Sequence, residues 1–205
     1  MFGSEFLRHI KEFRQYIRGF KYERSDSGFY FPTAKIGVSG FYTHWVTGYE
    51  SELAVDKNLI VDQGLNHMLD VIMYTPGTQT TVPAWYLMLH SGTGDPAWNT
   101  TASNYGTSLT EIVSNSDGYA ETTRREWVPD AVDTGNTEII NDTSSALFTI
   151  ATPDDVTVNG AGLVSVSTKG ATSGILMSAG KFAAARTLND TDEFNLKYKV
   201  DFDAV

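Results

Sequence analysis

"DEFNLKYKVDFDAV", residues 192–205, sets Phe194, Leu196, Tyr198, Val200 and Phe202 in strict alternation with Asn195, Lys197, Lys199, Asp201 and Asp203. A period of two puts the first set on one face of a strand and the second on the other, so the segment predicts a strand with one buried and one solvated side. Shorter pieces of the same kind lie upstream. "WYLML" (Trp85–Leu89) is an apolar run bounded by Pro83 and by Gly92, Gly94 and Pro96, the pattern of a buried strand. Further strands are expected at Glu121–Val128, Glu138–Ile140, Leu147–Ala151, Thr157–Ser167, Ile175–Ser178 and Phe182–Thr187, separated by clusters of Gly, Asn, Asp and Ser. The stretch after Gly28, rich in aromatics and broken by Pro32, Gly37 and Gly40, also reads as extended segments and tight bends. The implied fold class is mainly β, a β-sandwich or jelly-roll-like body.

One segment changes period. In "NLIVDQGLNHMLDVIM" (Asn58–Met73), Asp62 is placed to cap a helix whose face carries Leu65, Met68, Leu69 and Ile72, and "TPGT" (Thr75–Thr78) ends it. This predicts one short helix beside the sheet. "NTTASNYGTS" (Asn99–Ser108) is small and polar and is expected to be a surface loop.

The first two dozen residues differ from everything that follows. Phe6, Ile10, Phe13, Ile17 and Phe20 recur at spacings of four and three, with Phe2 continuing the series, which predicts an amphipathic helix with a narrow apolar seam. Residues 1–24 hold six basic side chains, Arg14 and Arg18 among them, against three acidic ones, so this arm is +3 and the remainder −13. "RSDSG" (Arg24–Gly28) reads as a polar hinge, dividing residues 1–28, a helical docking arm, from a body over 29–205. A helix folded onto its own sheet is one reading of the arm. The seam's period of about 3.5 residues suits a partner helix and favours docking on another chain, through Phe2, Phe6, Ile10, Phe13, Ile17, Phe20, Arg14 and Arg18.

Composition narrows the chemistry. Hydrophobic residues make up 41% and charged residues 20%, a globular balance, and the absence of cysteine removes disulfides, thiolate zinc sites and cysteine nucleophiles. The acidic body repels nucleic acid, and no apolar run is long enough for a membrane span or a secretory signal. His9, His44, His67 and His90 are scattered without metal-ligand spacing. The turn Asn189–Glu193 offers oxygen ligands but lacks the glycine and distal glutamate of a calcium loop. Asp154 and Asp155 are adjacent, a poor geometry for paired acid-base work on one bond. No catalytic residue, metal or cofactor is therefore expected. Trp98, Tyr105 and Tyr119, set among polar loop residues, raise a competing reading as a glycan- or receptor-binding module, since aromatic faces stack on sugar rings.

The ordered run "KNLIVDQGLNHMLDVI" (Lys57–Ile72), "WYLMLHSGTGDPAW" (Trp85–Trp98), "SLTEI" (Ser108–Ile112), "YAETTRREW" (Tyr119–Trp127), "ALFTIATPDDVTVNGAGLVS" (Ala146–Ser165) and "GILMSAGKFAAARTLNDTDEFNLKYKVDF" (Gly174–Phe202) resembles a β-rich module. Such modules occur among the structural proteins of tailed double-stranded DNA bacteriophages. Phe182, Arg186 and the turn before Phe194 match its pattern. The resemblance implies a non-enzymatic virion component, at the neck, tail or fibre attachment or as a head decoration. It would be assembled in the host cytoplasm, with other virion proteins as partners and copies of itself as a homo-oligomer. The N-terminal arm lies outside the resemblance.

Overall fold

The computed structural model describes residues 23–25, 28–30, 36–73, 82–132 and 136–204. The chain divides into two compact units, Met1–Gly37 with Asp203–Val205, and Val38–Phe202. In the first, strands β1 (Glu23–Ser25) and β2 (Gly28–Tyr30) form an antiparallel hairpin, with Glu23 opposite Tyr30 and Ser25 opposite Gly28. Of the expected polar hinge Arg24–Gly28, Arg24, Ser25 and Gly28 fall in these strands, and the two residues between Ser25 and Gly28 lie outside the described residues.

The larger unit is mainly β. Its strands are β3 (Ile36–Val46), β4 (Ala54–Ile60), β5 (Trp85–His90), β6 (Gly118–Tyr119), β7 (Arg125–Trp127), β8 (Glu138–Ile140), β9 (Ala146–Ala151), β10 (Val156–Val164), β11 (Leu176–Leu188) and β12 (Glu193–Ala204). They form one ten-stranded sheet in the order β6-β9-β12-β3-β4-β11-β10-β5-β7, with β8 also pairing with β12. Every pairing with a described register is antiparallel. The sheet curls: Trp127 on terminal strand β7 donates its indole N–H to the Tyr198 carbonyl on β12 (3.1 Å) and to Asn141 Oδ1 (3.1 Å). Asn141 Oδ1 also accepts from the Tyr198 N–H at 2.7 Å, so one buried amide ties terminal strand β7 to β12, third from the opposite end of the sheet.

The alternation in β12 is realised in part: Asn195, expected on the solvated face, is buried between Ser145 and Thr47, and Phe202 is half-buried. Phe194, Leu196, Tyr198 and Val200 are buried, while Lys197 and Lys199 reach outward to Asp142 (2.6 Å) and Glu138 (2.9 Å). These four join Tyr42, Leu87, Leu89, Phe148, Ile150, Leu163 and Phe182 in the main core, with Tyr119 edge-on to Phe148 at 5.0 Å. A second cluster comprises Val61, Met88, Ala102, Tyr105, Leu109, Val164, Leu176 and Ala179. Leu87 and Leu89 enter the first cluster and Met88 the second, which is why β5 is an unbroken apolar run.

Several expected elements differ. Asn99–Ser108, expected as a loop, is largely helix α2 (Ala102–Leu109), so the sheet is flanked by two described helices where one was expected, the other being α1 (Asp62–Met73). Asn104 Oδ1 accepts the Thr101 N–H at 2.8 Å at its start, and Ala102, Tyr105 and Leu109 form its buried side. Of Glu121–Val128, only Arg125–Trp127 is strand: Arg124 turns inward to Glu111, and the Glu121 carboxylate instead accepts the Thr149 N–H. The expected strands Ile175–Ser178, from Leu176 on, and Phe182–Thr187 are parts of one strand, β11, whose register against β10 slips between Lys181 and Arg186 to accommodate an exposed bulge at Ala183–Ala185.

Candidate docking face

Helix α1 shows its apolar stripe to the outside, and two residues in its first turn explain why. A Cβ on Gly64 would lie 2.3 Å from the Met177 carbonyl oxygen, so the helix backbone rests directly on β11 at this point. Gln63 fixes the roll. Its Oε1 accepts the backbone N–H of Ala102 (3.0 Å) and Leu176 (2.9 Å), and its Nε2 donates to the Gly174 carbonyl (3.1 Å). Met68 and His67 then turn toward the sheet, His67 meeting Trp85 edge-on at 5.6 Å. Leu65, Leu69 and Ile72 are left 37%, 58% and 66% exposed. In helical phase Asp62, Asn66 and Asp70 follow one flank of that stripe, and the helix contains no Lys or Arg. At its start, the Asp62 N–H donates to the carbonyl of Trp98, whose side chain is 65% exposed.

A second apolar surface lies on the outer side of the sheet. Phe41, Thr43, Val55 and Ile140 floor an open groove of about 490 Å³, rimmed by the ion pairs Lys199–Glu138 and Lys197–Asp142. The Glu138 carboxylate raises the Lys199 pKa, so the rim stays charged at neutral pH.

The buried charged groups are engaged in holding the fold. Arg124 makes a two-pronged contact with Glu111 (2.8 and 2.7 Å) and caps the carbonyls of Val166 (2.9 Å) and Ala171 (3.2 Å). His44 gives its Nε2–H to Asp56 Oδ2 at 2.8 Å, accepts Arg186 Nε–H on Nδ1 at 3.4 Å and stacks on Phe182 at 3.8 Å. With both ring nitrogens occupied, it has none to offer a substrate. Asp56 Oδ1 accepts the Ala183 N–H at 2.8 Å, bracing the bulge in β11. Burial pushes the Lys169 ammonium down to about 8; it sits 3.4 Å above the Tyr119 ring and donates to the Tyr119 carbonyl and Asn115 Oδ1, both at 2.8 Å. In the acidic turn, Asp192 accepts the Asn189 N–H (2.7 Å) and Asp190 the Thr152 N–H (3.1 Å). Among the described residues, no three His, Asp or Glu side chains form a metal-ligating group, and no helix is long and apolar enough to cross a membrane.

Of the sequence-expected site residues, Phe2, Phe6, Ile10, Phe13, Ile17, Phe20, Arg14 and Arg18 lie outside the described residues. Trp98 is exposed as expected, but Tyr105 and Tyr119 are 1% and 0% exposed, and neither can stack on a sugar from solution. Tyr105 is the inward residue of α2, edge-on to His90 at 5.7 Å, and Tyr119 lies beneath Lys169. Polar neighbours in sequence made both look like loop aromatics; helix formation around one and a strand pairing at the other took them inside. The outward stripe of α1 escaped sequence reasoning, and the signal for it was Gly64 within an otherwise good helix. No protein-family model matches the chain, and no curated protein sequence matches it.

Proposed function

We propose that this chain is a non-enzymatic structural protein of a tailed-phage virion, a jelly-roll-like body that docks through its N-terminal arm on neighbouring proteins of the particle. Neck, tail or fibre attachment is the favoured place, and capsid decoration the next. The observation that carries the reading is the outward stripe of Leu65, Leu69 and Ile72, in a chain whose first 20 residues bear another apolar series at helical spacing. Apolar surface left at helical period is the feature of a contact surface, not of a catalytic cleft. The engagement of Arg124, Glu111, His44 and Asp56 in cohesion of the sheet supports a non-catalytic role.

Energy for docking comes from the seam. Each fully buried Phe or Ile is worth roughly 1.5 to 3 kcal/mol, so five or six outweigh the cost of ordering the segment. Copies arranged about a symmetric particle add avidity. The test is particle assembly with a chain lacking residues 1–22, a deletion that spares the β1–β2 hairpin. The shortened protein is expected to be soluble and folded yet missing from purified particles. Its incorporation at normal copy number would refute arm docking.

A further inference from the structure

We propose that the outward stripe of α1 is the acceptor for the N-terminal seam of a second copy of this chain, so that the arm links copies to one another. The inference rests on the arm-docking reading and adds the identity of the acceptor.

Three features of the two segments correspond. The first is period: Leu65, Leu69 and Ile72 step by four and three, as do Phe6, Ile10, Phe13, Ile17 and Phe20. Matching seams of this kind pack as knobs into holes at a shallow crossing angle. The second is charge, and it is sided. Each of Ile10, Phe13, Ile17 and Phe20 is followed immediately by a basic residue, Lys11, Arg14, Arg18 and Lys21, so in helical phase the basic groups run down one flank of the seam. On α1 the flank beside the stripe carries Asp62 and Asp70, with no basic residue anywhere in the helix. The third is extent. Leu65 to Ile72 covers about 12 Å of helix and the arm's seam about 22 Å. Exposed Trp98, joined to the first turn of α1, lengthens the acceptor at that end.

The exposed groove floored by Phe41 and Val55 is the weaker acceptor, because its charged rim is already neutralised by Lys197 and Lys199. The outer flank of α1 has no such internal counter-charge among its own residues.

The test uses the full chain and sedimentation velocity over a concentration series. Wild-type protein is expected to self-associate. The acceptor variant Leu69→Asp with Ile72→Asp changes only exposed positions and should remain folded by circular dichroism, with association weakened roughly a hundredfold, about tenfold per lost side chain. The donor variant Phe13→Asp with Ile17→Asp should behave the same way. Mixing the two variants should restore a heterodimer, because one retains an intact arm and the other an intact α1 stripe. A wild-type chain that stays monomeric, or a mixture that forms no heterodimer, overturns the inference. Loss of association in the donor variant alone also overturns it, and then leaves arm docking standing with a different acceptor. Association unaffected by either variant removes both.

Discussion

Arg124 and Glu111 show at the scale of single residues why the interior of this protein holds charge. Both side chains are at most 3% exposed, and the guanidinium binds one carboxylate and two carbonyls from the segment after β10. Glu111→Ala leaves that guanidinium buried without its counter-ion, and the expected loss is about 3 to 5 kcal/mol in urea unfolding. A combined Glu111→Leu and Arg124→Met replacement removes both charges and should cost distinctly less than the single change; equal or greater loss would show that the pair contributes by more than mutual compensation. The histidines carry the pH dependence. Burial holds His44 below its ordinary pKa, opposed by Asp56 and aided by Arg186; it does the same for His90, opposed by the carbonyls of Gly180 and Gly92 and aided by Lys181. The unfolded chain therefore takes up these protons first as pH falls. The histidines' own contribution to stability is complete above about pH 6.5 and declines below it, with a slope approaching about 1.4 kcal/mol per pH unit for each. Urea melts between pH 7 and pH 5 measure this slope, and His90→Gln should reduce it; a flat profile would mean that the two rings charge without penalty.

Among elements, α1 and α2 respond oppositely to the same substitution. A Cβ added at Gly106 in α2 would meet no atom within 4 Å, so Gly106→Ala is expected to stabilise by about 0.5 to 1 kcal/mol through helix propensity alone. Gly64→Ala forces α1 off the Met177 backbone and breaks the Gln63 bonds, so it should destabilise by roughly 1 to 3 kcal/mol despite the same gain in propensity. Thermal unfolding of the two variants side by side separates the effects. This contrast also explains which elements could be read from the text. Strands β5 and β12 follow directly from their side-chain pattern, because burial on two faces or on one leaves a direct imprint on sequence. The existence of α1 was legible by the same logic, but its orientation was not. Periodicity locates a stripe at Leu65, Leu69 and Ile72, whereas the roll of the helix is set by the closest approach of backbone at Gly64 and by the amide of Gln63. Helix α2 was illegible because Ser, Thr, Asn and Gly are weak helix formers; its start at Thr101 and Asn104 and its buried Ala102, Tyr105 and Leu109 matter only once the sheet supplies a surface for them. The candidate surface was legible in part: exposed Trp98 was identified, whereas Tyr105 and Tyr119 were drawn inside by long-range packing.

At the scale of the whole molecule, the division of charge between residues 1–24, at +3, and a remainder at −13 would make the proposed association between copies sensitive to ionic strength. Screening slows the approach of opposite charges more than it speeds the separation of packed apolar seams. Raising the salt concentration should therefore lower the association rate severalfold and leave the dissociation rate little changed, as stopped-flow mixing can resolve; a purely apolar contact would leave the association rate unchanged as well. The most direct measurement of the central claim is photo-cross-linking from position 13 in a mixture of isotopically light and heavy full-length chains. The account predicts mixed light-heavy products joining the arm of one copy to the peptide Asp62–Met73 of another. Cross-links confined within single chains, from position 13 to core strands such as β9 or β12, would contradict it.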